Sequence, residues 1–179
     1  MVSIRKALAY SKRKVVPYTR KSKRRNKAYI KSFPSKKMVK FQMGNSEAHR
    51  NKKLPFELKM ISTEDVQIRD YALEACRQFI NKKLDKELAK QYFFQICIHP
   101  HHVQRENKML TGAGADRMSS GMQLSFGRTM NLAAIVKKDT VIFKVATADK
   151  KSEEFARGIM KLIKSKLPCK TRFESEGNK

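Results

Sequence analysis

The sequence predicts an α+β fold that carries a basic N-terminal arm. Runs of alternating or β-branched apolar residues lie on both sides of two segments whose apolar residues recur at helical spacing. Charge is also uneven: residues 1–53 hold 18 Lys and Arg against one acid, Glu47, whereas residues 54–179 hold 23 bases and 15 acids. Between two of the strand-like runs lies a glycine-rich cationic stretch, Asn107 to Arg128. The chain therefore divides into a basic arm and extension, 1–53, and a globular domain, 54–179, with a glycine-rich loop at 111–127.

Each element follows from its residues. The arm includes TRKSKRRNKAYIK, Thr19 to Lys31, with Tyr18, Tyr29 and Phe33 interleaved. It has too little apolar surface to offset its own ordering entropy. Lys36 to Gly44 reads as one strand, and Ser46 to Lys53 as an exposed connection. Phe56 to Ile61 alternates as a strand does. Ser62 and Asp65 form an S-x-x-D capping pattern for a helix that places Ile68, Ala72, Ala75, Cys76 and Phe79 on one face and ends near Leu84. Tyr92 to Ile98 is a strand by its aromatic and β-branched content, broken by His99-Pro100. Val103 to Leu110 reads as a partner strand leading into the glycine loop. Asn131–Val136 and Thr140–Ala146 form a hairpin around Lys137, Lys138 and Asp139. Asp149 or Ser152 caps a second helix with Phe155, Ile159, Leu162 and Ile163 on its apolar face, and Pro168 ends it. Lys170 to Glu174 closes the sheet.

Composition narrows the partners. The net charge is +25 over 179 residues, with 41 Lys and Arg against 16 Asp and Glu. Such an excess repels itself in a compact state unless a polyanion neutralises it, and nucleic acid is the obvious polyanion. No apolar run reaches the ~20 residues that would span a bilayer, so no membrane partner is expected. Cys76, Cys97 and Cys169 are three in number and widely spaced, which argues against a disulfide scaffold or a zinc knuckle and for small buried thiols in a reducing compartment.

The glycine stretch is a candidate RNA probe. Gly112, Gly114, Gly121 and Gly127 let the backbone turn freely and approach another surface closely. Arg105, Lys108, Arg117 and Arg128 surround them. The loop from Thr111 to Gly127 reaches roughly 25 Å out and back at about 3.3 Å per residue. It lacks the Lys-Ser/Thr of a phosphate-binding P-loop and the strand–helix setting of a dinucleotide site. His99, His101 and His102 form HPHH, which invites a metal reading, but Pro100 suggests a turn instead. These imidazoles are better placed to donate to RNA or to neighbouring backbone. No nucleophile is paired with a base, so neither a catalytic site nor a cofactor or metal is expected. In the arm, aromatic rings among cations suit stacking on unpaired bases.

NKML, GAGADR, GM and FG, in that order after the His-Pro turn, resemble the large-subunit ribosomal protein L-sixteen family. The resemblance is closest to its archaeal and eukaryotic L-ten-e branch and runs from about Tyr18 to Phe173. Arg105, Asn107, Lys108, Met109, Leu110, Gly114, Ala115, Asp116 and Arg117 match the family pattern position by position. His99, Pro100 and His102 match its H-P-x-H turn, and Gly121, Met122, Phe126 and Gly127 match its second glycine segment. Arg128 keeps the charge of the family's Lys, whereas Gln123 replaces an Arg. SIRKALAY stands where the branch begins with an Arg-Pro-Ala-Arg-like segment.

The resemblance implies a two-layer sandwich of mixed or antiparallel β-sheet with two helices and a hammerhead-like β motif. It implies a structural constituent of the large subunit in the cytoplasm, with rRNA, tRNA at the aminoacyl site and neighbouring large-subunit proteins as partners. The loop would help position aminoacyl-tRNA near the peptidyl-transferase region. The expected RNA-binding residues are Tyr18, Arg20, Lys21, Lys23, Arg24, Arg25, Lys27, Lys36, Lys37, His99, His102, Arg105, Asn107, Lys108, Gly112, Gly114, Arg117, Gly121, Gly127 and Arg128. A free-standing RNA-modifying enzyme or RNA chaperone is the alternative from another class.

Overall fold

A computed structural model of the chain describes residues 7–19, 30–89, 91–106 and 127–177. In chain order these form α1 (Leu8–Ser11), β1 (Gln42–Gly44), α2 (Ser46–Arg50), β2 (Phe56–Ser62), β3 (Val66–Arg69), α3 (Asp70–Leu88), β4 (Tyr92–Ile96), β5 (His102–Glu106), β6 (Arg128–Val136), β7 (Val141–Thr147), α4 (Lys150–Ile163) and β8 (Thr171–Gly177). The fold is α+β, as the sequence predicts. β1-β4-β7-β2-β8 make one sheet and β3-β6-β5 a second, and the paired strands in both run antiparallel.

One core joins the two sheets to the long helices. Leu58 and Met60 of β2, Phe94 of β4, and Phe143 and Val145 of β7 supply the large sheet's buried side chains. Leu73, Cys76, Ile80 and Leu84 of α3 and Ala156, Ile159, Met160 and Ile163 of α4 pack on them. Val66, Ile68, Ala134 and Val136 bring the small sheet into the same cluster. Each such Val, Leu, Ile, Phe or Met side chain contributes about 1.5–3 kcal/mol by leaving water. Leu73, Cys76, Ile80 and Leu84 recur at three and four residues, so they share one helix face. α3 stops at Ala89, whose backbone is left-handed at φ 41°. On the large sheet, charged residues of neighbouring strands pair across the ladder: Lys144 of β7 with Glu57 of β2 at 2.8 Å, and Lys59 of β2 with Glu176 of β8 at 2.6 Å.

Several expectations need correction. Ser62 and Asp65 do not cap a helix. The Ser62 hydroxyl donates to the Glu64 carbonyl, and Asp65 accepts the backbone N–H of Lys138, so the S-x-x-D pattern builds the turn between β2 and β3. Ile68 therefore lies on a strand, and α3 begins at Asp70. Ala75 is exposed, because Leu73 and Cys76 define the buried face.

The segments around Lys137–Asp139 are strands, but they do not pair. β6 lies between β3 and β5, and β7 between β4 and β2. Both strands are buried over most of their length, and each takes an interior slot of its own sheet. The turn between them bonds instead to the end of β2: Asp139 N–H donates to the Ser62 carbonyl at 2.9 Å and Ser62 N–H to the Thr140 carbonyl at 3.0 Å.

The segment 36–44 is a strand only over Gln42–Gly44. Ser46–Arg50 is a short helix whose N-terminus is capped by the Asn45 side chain, which accepts from Ala48 N–H at 2.9 Å. On α4, Phe155 and Leu162 point away from the core, which Ala156 and Met160 fill instead.

Candidate nucleic-acid interface

Tyr18, His102 and Arg105, three of the expected RNA-binding residues, lie where the small sheet meets the N-terminal segment. β5 and β6 pair from His102↔Ala133 to Glu106↔Arg128, with an irregularity between Gln104 and Arg105. The two ends of the glycine loop therefore leave the sheet side by side. Gly127 has φ +142°, a conformation that favours glycine. Asn107, Lys108, Gly112, Gly114, Arg117 and Gly121 lie outside the described residues, as do Arg20, Lys21, Lys23, Arg24, Arg25 and Lys27 of the arm.

Three predicted residues are brought together although more than 80 positions separate the first from the others. The backbone N–H of Tyr18 donates to Nδ1 of His102 at 2.9 Å, and the N–H of Val103 donates to the Tyr18 carbonyl at 2.8 Å. Residue 18 is thus bonded to β5 at two points. The Arg105 guanidinium then sits 3.9 Å from the centre of the Tyr18 ring. Tyr10, buried in α1, donates its hydroxyl to the Arg105 carbonyl at 3.4 Å. Burial first, and the neighbouring Arg105 charge second, hold the His102 imidazole below its ordinary pKa. A neutral imidazole accepting at Nδ1 carries its proton on Nε2. His102 therefore accepts from backbone rather than donating to it, and it fastens residue 18 to β5.

A cleft of about 210 Å³ opens beside this tie, with Arg13, Lys14, His102 and Arg105 among its walls. Gln67 and Gln104, both buried, brace it. The Gln67 amide donates to the Arg13 carbonyl at 2.9 Å, the Gln104 amide donates to Oε1 of Gln67 at 3.2 Å, and Nε of Arg69 donates to Oε1 of Gln104 at 3.1 Å. Sequence reasoning did not single out this network. Its one signal was Gln67 inside the apolar alternation of VQIR, masked by assigning that stretch to a helix.

The other predicted residues form a second group. Arg128 is exposed at the start of β6, and the Thr129 hydroxyl beside it donates to the Ser32 carbonyl at 2.6 Å. Lys36 and Lys37 are exposed on the return of the N-terminal segment. The backbone N–H of Lys37 donates to Oδ2 of Asp70 at 3.4 Å. His99 is exposed, its ring 4.3 Å from that of Phe41. Chemically the surface offers cations, hydrogen-bond donors and ring faces. Among the described residues, no three His, Cys, Asp or Glu side chains are placed to hold a metal ion. None of the described helices is long and apolar enough to cross a membrane.

Comparison with known proteins bears on this surface. A family model described as "Ribosomal protein L16p/L10e" matches residues 14–174. A large ribosomal subunit protein uL16 from Sulfolobus acidocaldarius is 39% identical over 173 residues, spanning 96% of this chain and 93% of its own length. Proteins of the same description from Saccharolobus islandicus and Saccharolobus solfataricus are each 41% identical over 159 residues, spanning 88% of this chain and 84% of their own.

Proposed function

The chain belongs to the ribosomal protein L16p/L10e family, and from that membership we propose that it builds into the large ribosomal subunit, binds rRNA there and helps position aminoacyl-tRNA. It is a ribosomal protein and not an enzyme. Its work is to neutralise phosphate and to fix RNA shape. One observation carries the RNA-binding part of this reading: the Arg105 guanidinium stacked at 3.9 Å on Tyr18, at the root of the glycine loop. A guanidinium parked on a ring keeps its N–H donors oriented for a phosphate or a base edge and loses little freedom on contact. Arg13 and Lys14, which line the cleft beside it, add to the cationic surface. The tRNA-positioning part rests on the loop's sequence and length, and on its two ends leaving β5 and β6 at the adjacent residues Glu106 and Arg128. A loop rooted in a rigid sheet can hold its tip at a defined place. Neighbouring large-subunit proteins are the further partners of this reading.

Sedimentation tests it. The full chain carrying a terminal tag is expressed in cells, and lysates are resolved on sucrose gradients with a high-salt wash. Co-migration with large subunits through the wash is the expected result. Recovery only in light fractions would overturn it and favour a free-standing RNA chaperone.

A further inference from the structure

We propose that the cleft between the His99–His101 turn and the start of α3 receives one unpaired RNA nucleotide, its base stacked on the imidazoles of His99 and His101 and its phosphate held by Lys36 and Lys37. The inference rests on the rRNA-binding reading and adds a base-reading pocket apart from the glycine loop. The cleft measures about 170 Å³, and its lining includes Lys36, Lys37, Phe41, Asp70, His99 and His101. Pockets for whole cofactors run to about 300–1,000 Å³, so this space suits a single planar base.

The rings are arranged for stacking and have no other evident work. The His99 ring lies 4.3 Å from Phe41 and 5.8 Å from His101. Pro100 and the bond from His101 N–H to the His99 carbonyl, 3.0 Å long, fix the turn that presents them. Both imidazoles are exposed, and neither makes a side-chain hydrogen bond or an ion pair with another described residue. A base stacking there replaces water on faces that are already in place, which lowers the ordering cost of binding. Met38 and Leu132, both buried, make the lining partly apolar, so a base would be desolvated as it enters. Unpaired bases stacked on aromatic rings and read along their edges are the usual targets of sequence-specific RNA recognition.

Asp70 sets the base preference. The residue is 1% exposed, and it lines the cleft. It accepts the backbone N–H groups of Tyr71 at 2.9 Å and Lys37 at 3.4 Å. A carboxylate has about four acceptor positions and no donor, so capacity remains for a base that offers N–H groups. Guanine presents two such donors on one edge, N1–H and the 2-amino group. Uracil presents one, and adenine's N1 is itself an acceptor. The cleft should therefore prefer guanine.

The test uses the full chain and short RNAs. Fluorescence anisotropy compares a hexamer of uridines with the same hexamer carrying one guanosine or one adenosine. The guanosine hexamer should bind at least tenfold more tightly than either. The double variant His99→Ala, His101→Ala alters exposed side chains and should lose that preference, with circular dichroism and the melting temperature showing that it still folds. Asp70→Asn should narrow the gap between guanosine and adenosine. In purified large subunits, the double variant should leave one guanine newly reactive to a reagent that attacks its N1 and 2-amino edge. Equal binding of all hexamers, or subunits that contain the variant with unchanged guanine reactivity, would overturn the pocket and leave rRNA binding intact. A cross-linker at position 101 that captures a neighbouring protein instead of RNA would overturn it too. Absence of the wild-type chain from large subunits would instead remove the reading on which it rests.

Discussion

The Arg105 guanidinium rests 3.9 Å from the centre of the Tyr18 ring, and the backbone of Tyr18 is itself bonded to His102, three residues before Arg105 on the same strand. Arm and sheet thus fix each other. The strand orients the arm's ring, and the ring orients the strand's cation at the point where the glycine loop departs.

Removing the ring should loosen both. Tyr18→Ala is expected to lower stability by about 0.5–2 kcal/mol, the range for a cation–π contact, and to weaken binding to a large-subunit rRNA fragment several-fold. Tyr18→Phe keeps the ring and should retain both properties. Chemical denaturation and filter binding of the three proteins are the measurements. Tyr18→Phe behaving like Tyr18→Ala would show that the hydroxyl, not the ring face, matters.

The His102 tie makes stability depend on pH. Burial and the Arg105 charge lower its folded-state pKa. Below the ordinary histidine value of about 6.5 the unfolded chain therefore binds more protons than the folded one, and stability falls as pH falls. Protonating Nδ1 also removes the acceptor for Tyr18 N–H. Melting temperatures taken from pH 7.5 to 5 should fall more steeply for wild type than for His102→Asn, which keeps an acceptor but does not titrate. Parallel curves would assign the pH dependence to other groups.

Two glycines should respond oppositely to alanine. Gly44 ends β1 at φ +83°, and an added Cβ would overlap the Tyr92 carbonyl oxygen, which already accepts Asn45 N–H at 2.8 Å. Gly44→Ala should cost about 1–3 kcal/mol. Gly158, exposed in α4, has nothing within 4 Å of that position. Gly158→Ala should stabilise by about 0.5–1 kcal/mol, because glycine in a helix carries extra unfolded-state entropy. Urea titrations of both variants measure the shifts, and a stabilised Gly44→Ala would contradict the β1–β4 register.

These contrasts show how far the sequence could be read. Strands β2 and β4 were legible because their apolar residues alternate or run continuously, and α3 because its apolar residues recur every turn. β3 was not, because Ser62 and Asp65 mimic a helix cap while serving a turn whose partner, Lys138, lies 73 residues away along the chain. The separation of β6 from β7 was hidden for a related reason: local pattern says that both are strands, but only packing decides which neighbours they take. At the interface, residue types pointed to Tyr18, His102 and Arg105 one at a time. Their mutual stack and hydrogen bond exist only once β5 lies beside residue 18. The buried Gln67–Gln104 pair spans 37 positions, so Gln67 in VQIR hints at a buried amide but nothing local names its partner.

The glycine loop allows a separation of folding from function. Its ends leave β5 and β6 at Glu106 and Arg128, which are paired across the strands, so a tight turn could join them without disturbing the register. A variant in which Gly112 to Gly121 is removed and the remainder closes as a shorter loop should keep the core of Phe94, Phe143 and Ile163 intact. Loop-closure entropy changes by less than about 1 kcal/mol over such a length. The His102 and Arg105 ties to Tyr18 lie on the sheet side of the deletion, so arm docking should also survive. The variant chain should therefore enter large subunits at normal stoichiometry. Its subunits should nevertheless accept aminoacyl-tRNA slowly, because the shortened loop would no longer reach as far from the sheet. Arg117→Ala should show a milder defect through loss of one charge-assisted contact worth about 1.5–3 kcal/mol. Quantifying the protein in purified subunits and timing peptide-bond formation with pre-bound aminoacyl-tRNA separates the two effects. Normal incorporation with wild-type rates would remove the tRNA-positioning role and leave a purely architectural rRNA binder.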